Sequence, residues 1–584
     1  MIRHIAVSTG IVALLLAYPL FTYQQLFSPF AMADILMLPI ISSAIFIFAE
    51  KFESKPIYLV LGIIAIALIT FSTNFYIHPG PGTYMNLSRI FILVSIATTI
   101  SIFFIYLSGK VIPKHFGVLA AILLITIGSA LAYISMYGFS NIEWNGVDEL
   151  AANYYAASLA LHGVNPYTTS MQTIYNERHV FPTVLLNGSY EDFYAYPAMS
   201  FVAYMPLVAL GIGSHSFMPF IAILIFFVMS ASAMVYVHSG RRTGLLIPLA
   251  LWLFGCYTLA GVSNAFLVTI FVVLAYIYMR KSFASGILLG LAASVSQLAW
   301  FALPFFYILT YNSKGKLHMQ VLGTFVSFLA INIYFFAASP GAFISSVLGI
   351  MGTHALVFYG LNIANFFYAF YPVSQLYISA LSITVLLFSM LVYYLYPRSA
   401  KPLIALAPIF IFFLSWRNIS IYGLAYVPLL LAVYYGEERK EEVRDRVKRK
   451  VYIAYGLIAI IFVFSILAVY SHNIYTANRI IAINRIYPVI GVGSYGYSLE
   501  GFIANVANNA KHNETVTFYI ISRSPNEEAY MLGTLLPQIG ADSTRNYSVN
   551  FALPLVNSNT KIIVFAFSSD YVASNVIVLS KLPR

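Results

Sequence analysis

Apolar runs long enough to cross a bilayer recur along this chain as far as residue 470, separated by short turns that carry Gly, Pro and basic residues. A segment shielded from water must pair its own backbone groups, so such runs fold as helices. Composition agrees, with 60% hydrophobic and only 9% charged residues, more than a soluble core requires. The expected fold is a polytopic α-helical membrane protein of about 13–15 spans. A net charge of +11 would suit nucleic acid in a soluble protein. Here the basic residues sit in the turns between apolar runs, as the positive-inside rule requires, so nucleic acid is not an expected partner. The single cysteine, Cys256, lies inside an apolar run and allows no intrachain disulfide.

Runs near 5–22, 31–49, 56–72, 90–108 and 116–138 each cover about 30 Å or slightly less as helices. The first has a short basic end like a signal peptide but no small-residue cleavage site, and reads as a retained span. Arg3, Lys51, Lys55, Lys110 and Lys114 set its amino end and the even-numbered turns in the cytoplasm, which puts 140–196 outside. Residues 197–211, interrupted by Pro197 and Pro206, read as a juxtamembrane or half-inserted helix, because Gly240-Arg241-Arg242 then stays inside. Spans near 216–238, 244–260, 264–279, 283–296, 298–311 and 317–337 alternate from there, with Arg280-Lys281 and Lys314-Gly315-Lys316 in the cytoplasm. Residues 340–371, punctuated by Gly341, Gly349, Gly352 and Gly360, read as a partly re-entrant outer loop.

Spans near 372–396, 402–415 and 419–435 lead into 436–450, where seven Lys and Arg against five acids make the strongest topology marker in the chain. A last span near 451–470 delivers 471–584 to the outside. That part loses the long apolar runs and shows β-like stretches at 515–521 and 561–567, so a small extracytoplasmic α/β or β-rich domain is expected. The chain thus divides into amino-terminal helices (1–114), a central membrane region (115–470) containing the outer loop 140–196, and the carboxyl-terminal domain (471–584). Asn-x-Ser/Thr triplets at Asn86, Asn187, Asn513 and Asn546 all fall in segments placed outside, although such triplets are common by chance.

Within the outer loop, 143–167 is a polar, acid-bearing stretch set between apolar ones. Asn145 and Gly146 can cap a helix whose first turn holds Asp148 and Glu149, and Gly163 with Asn165-Pro166 ends it after about four turns. Leu150, Tyr154, Ala157 and Leu161 share one face, and Asp148, Ala152, Tyr155, Leu159 and His162 share another.

The order Asp148, then Tyr154-Tyr155-Ala156-Ala157, then Gly163-Val164-Asn165-Pro166-Tyr167 resembles the first extracytoplasmic loop of the GT-C glycosyltransferases. It is most similar to the polyprenyl-phosphate-dependent mannosyltransferases of glycosyltransferase family 87 and their archaeal relatives. Phe193-Tyr194-Ala195-Tyr196-Pro197, followed by Pro206-Leu207, matches a second family pattern. The similarity runs from Gly117 to Tyr311. The gap between Asp148 and Tyr155 is longer than in the family, which bears on the role of Tyr155.

The resemblance implies inverting transfer of a hexose, mannose or glucose, from a polyprenyl- or dolichyl-phosphate donor to an extracytoplasmic glycan, glycolipid or protein. Such chemistry needs a base for the acceptor hydroxyl, groups that hold the departing phosphate, and an apolar groove for the lipid. Asp148 is the candidate base and Glu149 its neighbouring alternate. The helix dipole alone would also favour an acid there, by under about 1 kcal/mol. Arg417, at the outer end of a span, is the candidate phosphate ligand, against simple snorkelling to the interface. Arg178 and His179 are further phosphate or sugar contacts, or else solvated loop residues. Tyr155 and His162 complete the loop candidates, although an isolated histidine such as His162 or His354 is more often structural. Tyr167, Tyr194 and Tyr196 are candidates for stacking on sugars. No metal is expected, although Glu191-Asp192 with Asp148 could hold a divalent cation. Two other readings stand beside this one. A transporter or flippase of lipid-linked sugars has against it the lack of a mid-span charge relay or inverted repeat. A non-catalytic scaffold of the same fold is suggested by Gln297, which stands where related sequences often carry a lysine.

Overall fold

The computed structural model describes residues 6–14, 29–48, 148–178, 191–211, 218–239, 245, 249, 252, 264–349, 359–360, 362–364, 367, 371, 373–415, 417–418, 420–436, 445–447, 451–477, 481–493, 496–511, 514–523, 532–553, 561–567 and 572–578. The expected spans near 56–72, 90–108 and 116–138, and nearly all of 244–260, lie outside these residues, as do His179 and His354. The site-bearing helices are α1 (Asp148–Leu161), α2 (Ala265–Ile277), α3 (Ser282–Val295), α4 (Leu303–Asn312), α5 (Leu317–Ala338), α6 (Pro340–Gly349), α7 (Gln375–Leu395), α8 (Leu403–Leu414), α9 (Val427–Tyr435) and α10 (Val451–Ala477).

Three helices among the described residues are long and apolar enough to cross a membrane: α5, α7 and the 452–474 stretch of α10. Their outward side chains fit that environment. Phe325 and Tyr334 on α5, and Ile458, Ile461 and Phe462 on α10, are exposed although apolar or aromatic. The chain is therefore a membrane protein.

Two expected spans, 298–311 and 419–435, and the expected half-inserted helix 197–211 are each broken where proline stands. The segment 197–211 forms two short helices, Met199–Val202 and Met205–Ala209, the second carrying Pro206 in its first turn. The 298–311 run begins as a 3-10 turn, Gln297–Phe301, and α4 restarts behind it with Pro304 in its first turn. The 419–435 run splits into Ser420–Leu424 and α9, which opens on Pro428. Proline lacks the N–H that an unbroken helix would need, and suits a first turn, where no such bond is made.

Helices α3 and α5 meet backbone to backbone. Gly286 and Gly290, one turn apart on α3, face the Gln320 and Thr324 carbonyls of α5, and any Cβ on either glycine would fall well inside contact distance. Gly323 reciprocates, since a Cβ there would lie 2.5 Å from the Phe283 carbonyl oxygen. Close approach lets polar side chains bridge the pair. Gln320 Nε2 donates to Ser285 Oγ (3.1 Å), Ser327 Oγ to the Ile287 carbonyl (2.9 Å) and Asn332 Nδ2 to Ser294 Oγ (3.1 Å). Small residues at an interface, with hydrogen bonds as glue, hold helices where lipid removes the hydrophobic drive.

The basic turns converge on one end of this bundle. Lys316, at the start of α5, donates its backbone N–H to Ser282 Oγ at the start of α3 (3.2 Å). Ser239 Oγ donates to the Tyr435 carbonyl (2.8 Å), and Ser239 forms a backbone bridge with Gly436. Arg446, from the 436–450 loop, donates to Tyr394 Oη and Asn312 Oδ1 (2.8 Å each) and lies 4.1 Å above the Tyr394 ring and 5.3 Å above that of Tyr311. Beside it, Asp445 Oδ1 accepts the Arg398 and Ser399 N–H groups (3.1 Å each).

Two short strands, β1 (Tyr359–Gly360) and β2 (Arg417–Asn418), pair in parallel and tie the 340–371 stretch to the end of α8. Past α10 every described element is a strand of the carboxyl-terminal domain. One antiparallel sheet is ordered β3 (Ile481–Gly493), β4 (Gly496–Asn508), β7 (Ser543–Leu553). The second is ordered β6 (Leu532–Ile539), β5 (Glu514–Arg523), β8 (Lys561–Phe567), β9 (Val572–Val578). Their inner faces bury Phe502, Ala504 and Val506 against Phe518, Val564 and Ala566, with the Phe502 and Phe518 rings edge to face at 5.4 Å.

Candidate functional site

The Gly-Val-Asn-Pro-Tyr stretch ends α1 and begins the loop. Gly163 takes φ +75°, a left-handed conformation that suits glycine. Its N–H reaches the Ala160 carbonyl (3.1 Å) and that of Val164 reaches Leu159 (2.9 Å), the paired bonds of a Schellman stop. Asn165 Oδ1 then accepts the Tyr167 N–H (3.1 Å), capping a short 3-10 turn with Pro166 at its start. Tyr167 is driven inward: it is 4% exposed, and its ring packs 4.7–6.3 Å from those of Phe343, Tyr194, Phe335 and Phe201. Its hydroxyl donates to the Tyr196 carbonyl (2.8 Å).

This loop is fastened to the end of the bundle remote from the basic turns. Asn332, near the end of α5, accepts the Ala198 N–H (2.9 Å). Gln297 Nε2 donates both to the Ala195 carbonyl (2.7 Å) and to that of Val347 on α6 (2.9 Å), so an amide in the bundle joins the 191–211 segment to α6.

The buried stripe of α1 is neither of the two faces its apolar periodicity suggests. It runs through Glu149, Asn153 and Ala156, with Leu150 and Ala157 beside it, while Tyr154 and Tyr155 are half-buried and His162 is exposed. Small residues allow close packing, and Glu149 and Asn153 Oδ1 each accept a hydrogen bond. Glu149, 5% exposed, accepts the backbone N–H of Asn264 at 2.5 Å, where α2 starts. The positive end of that helix is a favourable place for a carboxylate. Around it Tyr204 Oη donates to Asn264 Oδ1 (2.7 Å), Asn264 Nδ2 to the Ser200 carbonyl (3.3 Å) and Tyr194 Oη to Asn153 Oδ1 (2.5 Å).

Asp148 differs from its neighbour. It is only partly buried, and its Oδ1 accepts the Glu149 N–H (2.9 Å), a local bond at the helix start. Burial pushes the Tyr175 phenol up, and the charges of Glu191, Asp148 and Asp192 raise it further. Burial likewise raises Tyr196, which also feels the charges of Glu149, Glu191 and Asp148 and the nearby Tyr422. The acids, two phenols and the segment just past Arg417 therefore share one electrostatic neighbourhood. Arg417 itself lies on β2, paired with Tyr359 of β1; its side chain lies outside the described atoms.

Two further candidates are less deeply buried. Arg178 is half-buried, 3.7 Å from Glu177 and 5.9 Å over the Tyr154 ring. His162 holds Nδ1 2.8 Å from the Ser158 carbonyl. Among the described residues no group of three or more His, Cys, Asp or Glu is placed to hold a metal ion. Sequence reasoning does not single out Asn153, Asn264 and Asn332, and it gives Gln297 no part in holding the loop, although these four amides organise it. Their signal is present in the sequence, since each is an uncharged polar residue inside or beside an apolar run. Comparison of the chain with protein-family models, curated proteins and solved structures finds no match to any of them.

Proposed function

We propose that this chain is a multi-pass membrane glycosyltransferase of the GT-C type, transferring a hexose from a polyprenyl-phosphate donor to an extracytoplasmic glycan, glycolipid or protein. The observation that carries the reading is the polarity of the bundle. Basic turns join at the end where α5 begins, and the motif-bearing loop packs where it ends, with Asp148 partly exposed in the neighbourhood of Glu191, Asp192 and Tyr196. Helix α5 spans about 33 Å between those ends, enough to put them on opposite membrane faces. In this mechanism Asp148 takes the acceptor proton, and Glu149, bound to the start of α2, positions the helix that carries it. Arg417 holds the departing phosphate, and Arg178, His162, Tyr155 and Tyr196 are the further substrate contacts.

The test is incubation of the purified protein, reconstituted in proteoliposomes, with polyprenyl-phosphate mannose and polyprenyl-phosphate glucose labelled in the sugar. Transfer of label to an acceptor, with release of polyprenyl phosphate, is expected. Movement of intact donor across the bilayer without release would replace this reading by a flippase.

A further inference from the structure

The outer face of the three-stranded sheet carries a row of asparagines that the domain does not need for its core. Asn484 Nδ2 donates to Asn505 Oδ1 (3.0 Å), and Asn505 Nδ2 donates to Asn546 Oδ1 (2.7 Å), so one directed chain of amides crosses β3, β4 and β7. Register fixes what lies beside it. Arg485 stands opposite Asn505, Asn505 opposite Asn546, Tyr487 opposite Ile503, and Ile503 opposite Ser548. Cross-strand partners and alternate residues share a face, so all of these point away from the Phe502 and Phe518 core. Tyr487 is 49% exposed.

We infer that this face is a binding site for a neutral glycan chain. An amide row presents donors and acceptors together, which matches sugar hydroxyls, themselves both donors and acceptors. The two internal bonds hold the amides in place and polarise those at the ends of the row. A tyrosine ring on a diagonal about 7 Å from the amide row lets one pyranose stack on the ring while its hydroxyls meet the amides. Charge favours the same ligand. The register places Arg485 as the face's cation and no carboxylate among these residues, so an anionic membrane or a polycation gains little here. This inference rests on the proposed function and deepens it, by giving the carboxyl-terminal domain a hold on a glycan acceptor.

The test uses the full-length protein in detergent, titrated by calorimetry with mannotetraose and maltotetraose, and with heparin-derived tetrasaccharide as the anionic control. At least one neutral tetrasaccharide should bind. Tyr487→Ala, which leaves the amide row intact, and Asn505→Ala, which breaks both its bonds, should each weaken binding at least tenfold. An unchanged melting temperature for Tyr487→Ala keeps the result free of folding effects. Absence of binding by both neutral sugars, equal binding in both variants, or binding of the heparin fragment alone would overturn the inference. So would a covalent glycan on Asn546 filling the face in the native protein, or concentration-dependent dimers lost in Tyr487→Ala. Donor turnover in the Tyr487→Ala protein is measured in parallel. Wild-type turnover with no glycan binding removes this site and leaves the transferase reading standing, whereas glycan binding without turnover keeps the site and removes the transferase reading, and with it the bound glycan's role as acceptor.

Discussion

Adjacent acids on one helical turn have opposite fates. Glu149 is buried against the start of α2, whereas Asp148 is partly exposed among other acids. Asp148→Asn should lower turnover by ~10²–10⁴-fold, as loss of a general base does, with little change in melting temperature. Glu149→Ala should do the reverse, costing about 1–3 kcal/mol of stability by leaving the buried Asn264 N–H without its acceptor. Thermal unfolding and donor turnover, measured on both variants at equal folded protein, separate the two. The burial of Glu149 is not legible in the sequence, where the resemblance puts Asp148 first but both residues are first-turn acids of one helix. What the sequence does show is Gly163, Asn165 and Pro166, because a left-handed glycine, a side-chain cap and a first-turn proline are local devices. The partner of Glu149 is distant in the chain, and no local pattern announces it. The buried phenols of Tyr167, Tyr175, Tyr194 and Tyr196 are all raised above their usual value, with burial the first cause. A group whose proton is held more tightly when folded contributes stability that is intact below the unfolded pKa, near 10, and is lost as pH rises beyond it. Ultraviolet titration should therefore show these phenols ionising together with alkaline unfolding.

Among elements, the α3–α5 contact is the most sensitive to volume. Gly290→Leu should force the helices apart and destabilise the detergent-solubilised protein by about 1–3 kcal/mol, the usual cost of overpacking, or more. Phe325→Leu, on the outward side of α5, is the comparison and should leave the melting temperature nearly unchanged, because that side chain is exposed. Apolar runs bounded by basic turns locate α3 and α5 almost to the residue, yet they do not pair them. The spacing of Gly286 and Gly290 is the available signal for that pairing, a small-residue repeat hidden within an apolar run. The broken segments near 197–211 and 419–435 show the converse. Pro197 and Pro206 are read as interruptions, whereas 419–435 is read as one span straight through Pro428, where the helix in fact restarts.

For the molecule as a whole, the hydrogen bonds that gather Lys316, Gly436 and Arg446 at one end predict which residues meet which compartment. In a protein whose Cys256 has been replaced, single cysteines at Thr168 and Thr544 should react with an impermeant maleimide in intact cells. A cysteine at Lys314 should react only after permeabilisation. Labelling in the opposite sense would invert the topology and move the acid cluster to the cytoplasm. The contact between Glu149 and Asn264 also sets an order of events during synthesis. The two residues are 115 positions apart, so at about 5–20 residues per second the acid waits roughly 6–23 s for its partner to leave the ribosome. During that interval α1 can pack on the short helices Gln172–Glu177, Met199–Val202 and Met205–Ala209, but the bond from Glu149 to the start of α2 cannot yet form. Nascent chains arrested before residue 264 should consequently expose this loop to added protease, and chains arrested well beyond it should protect it.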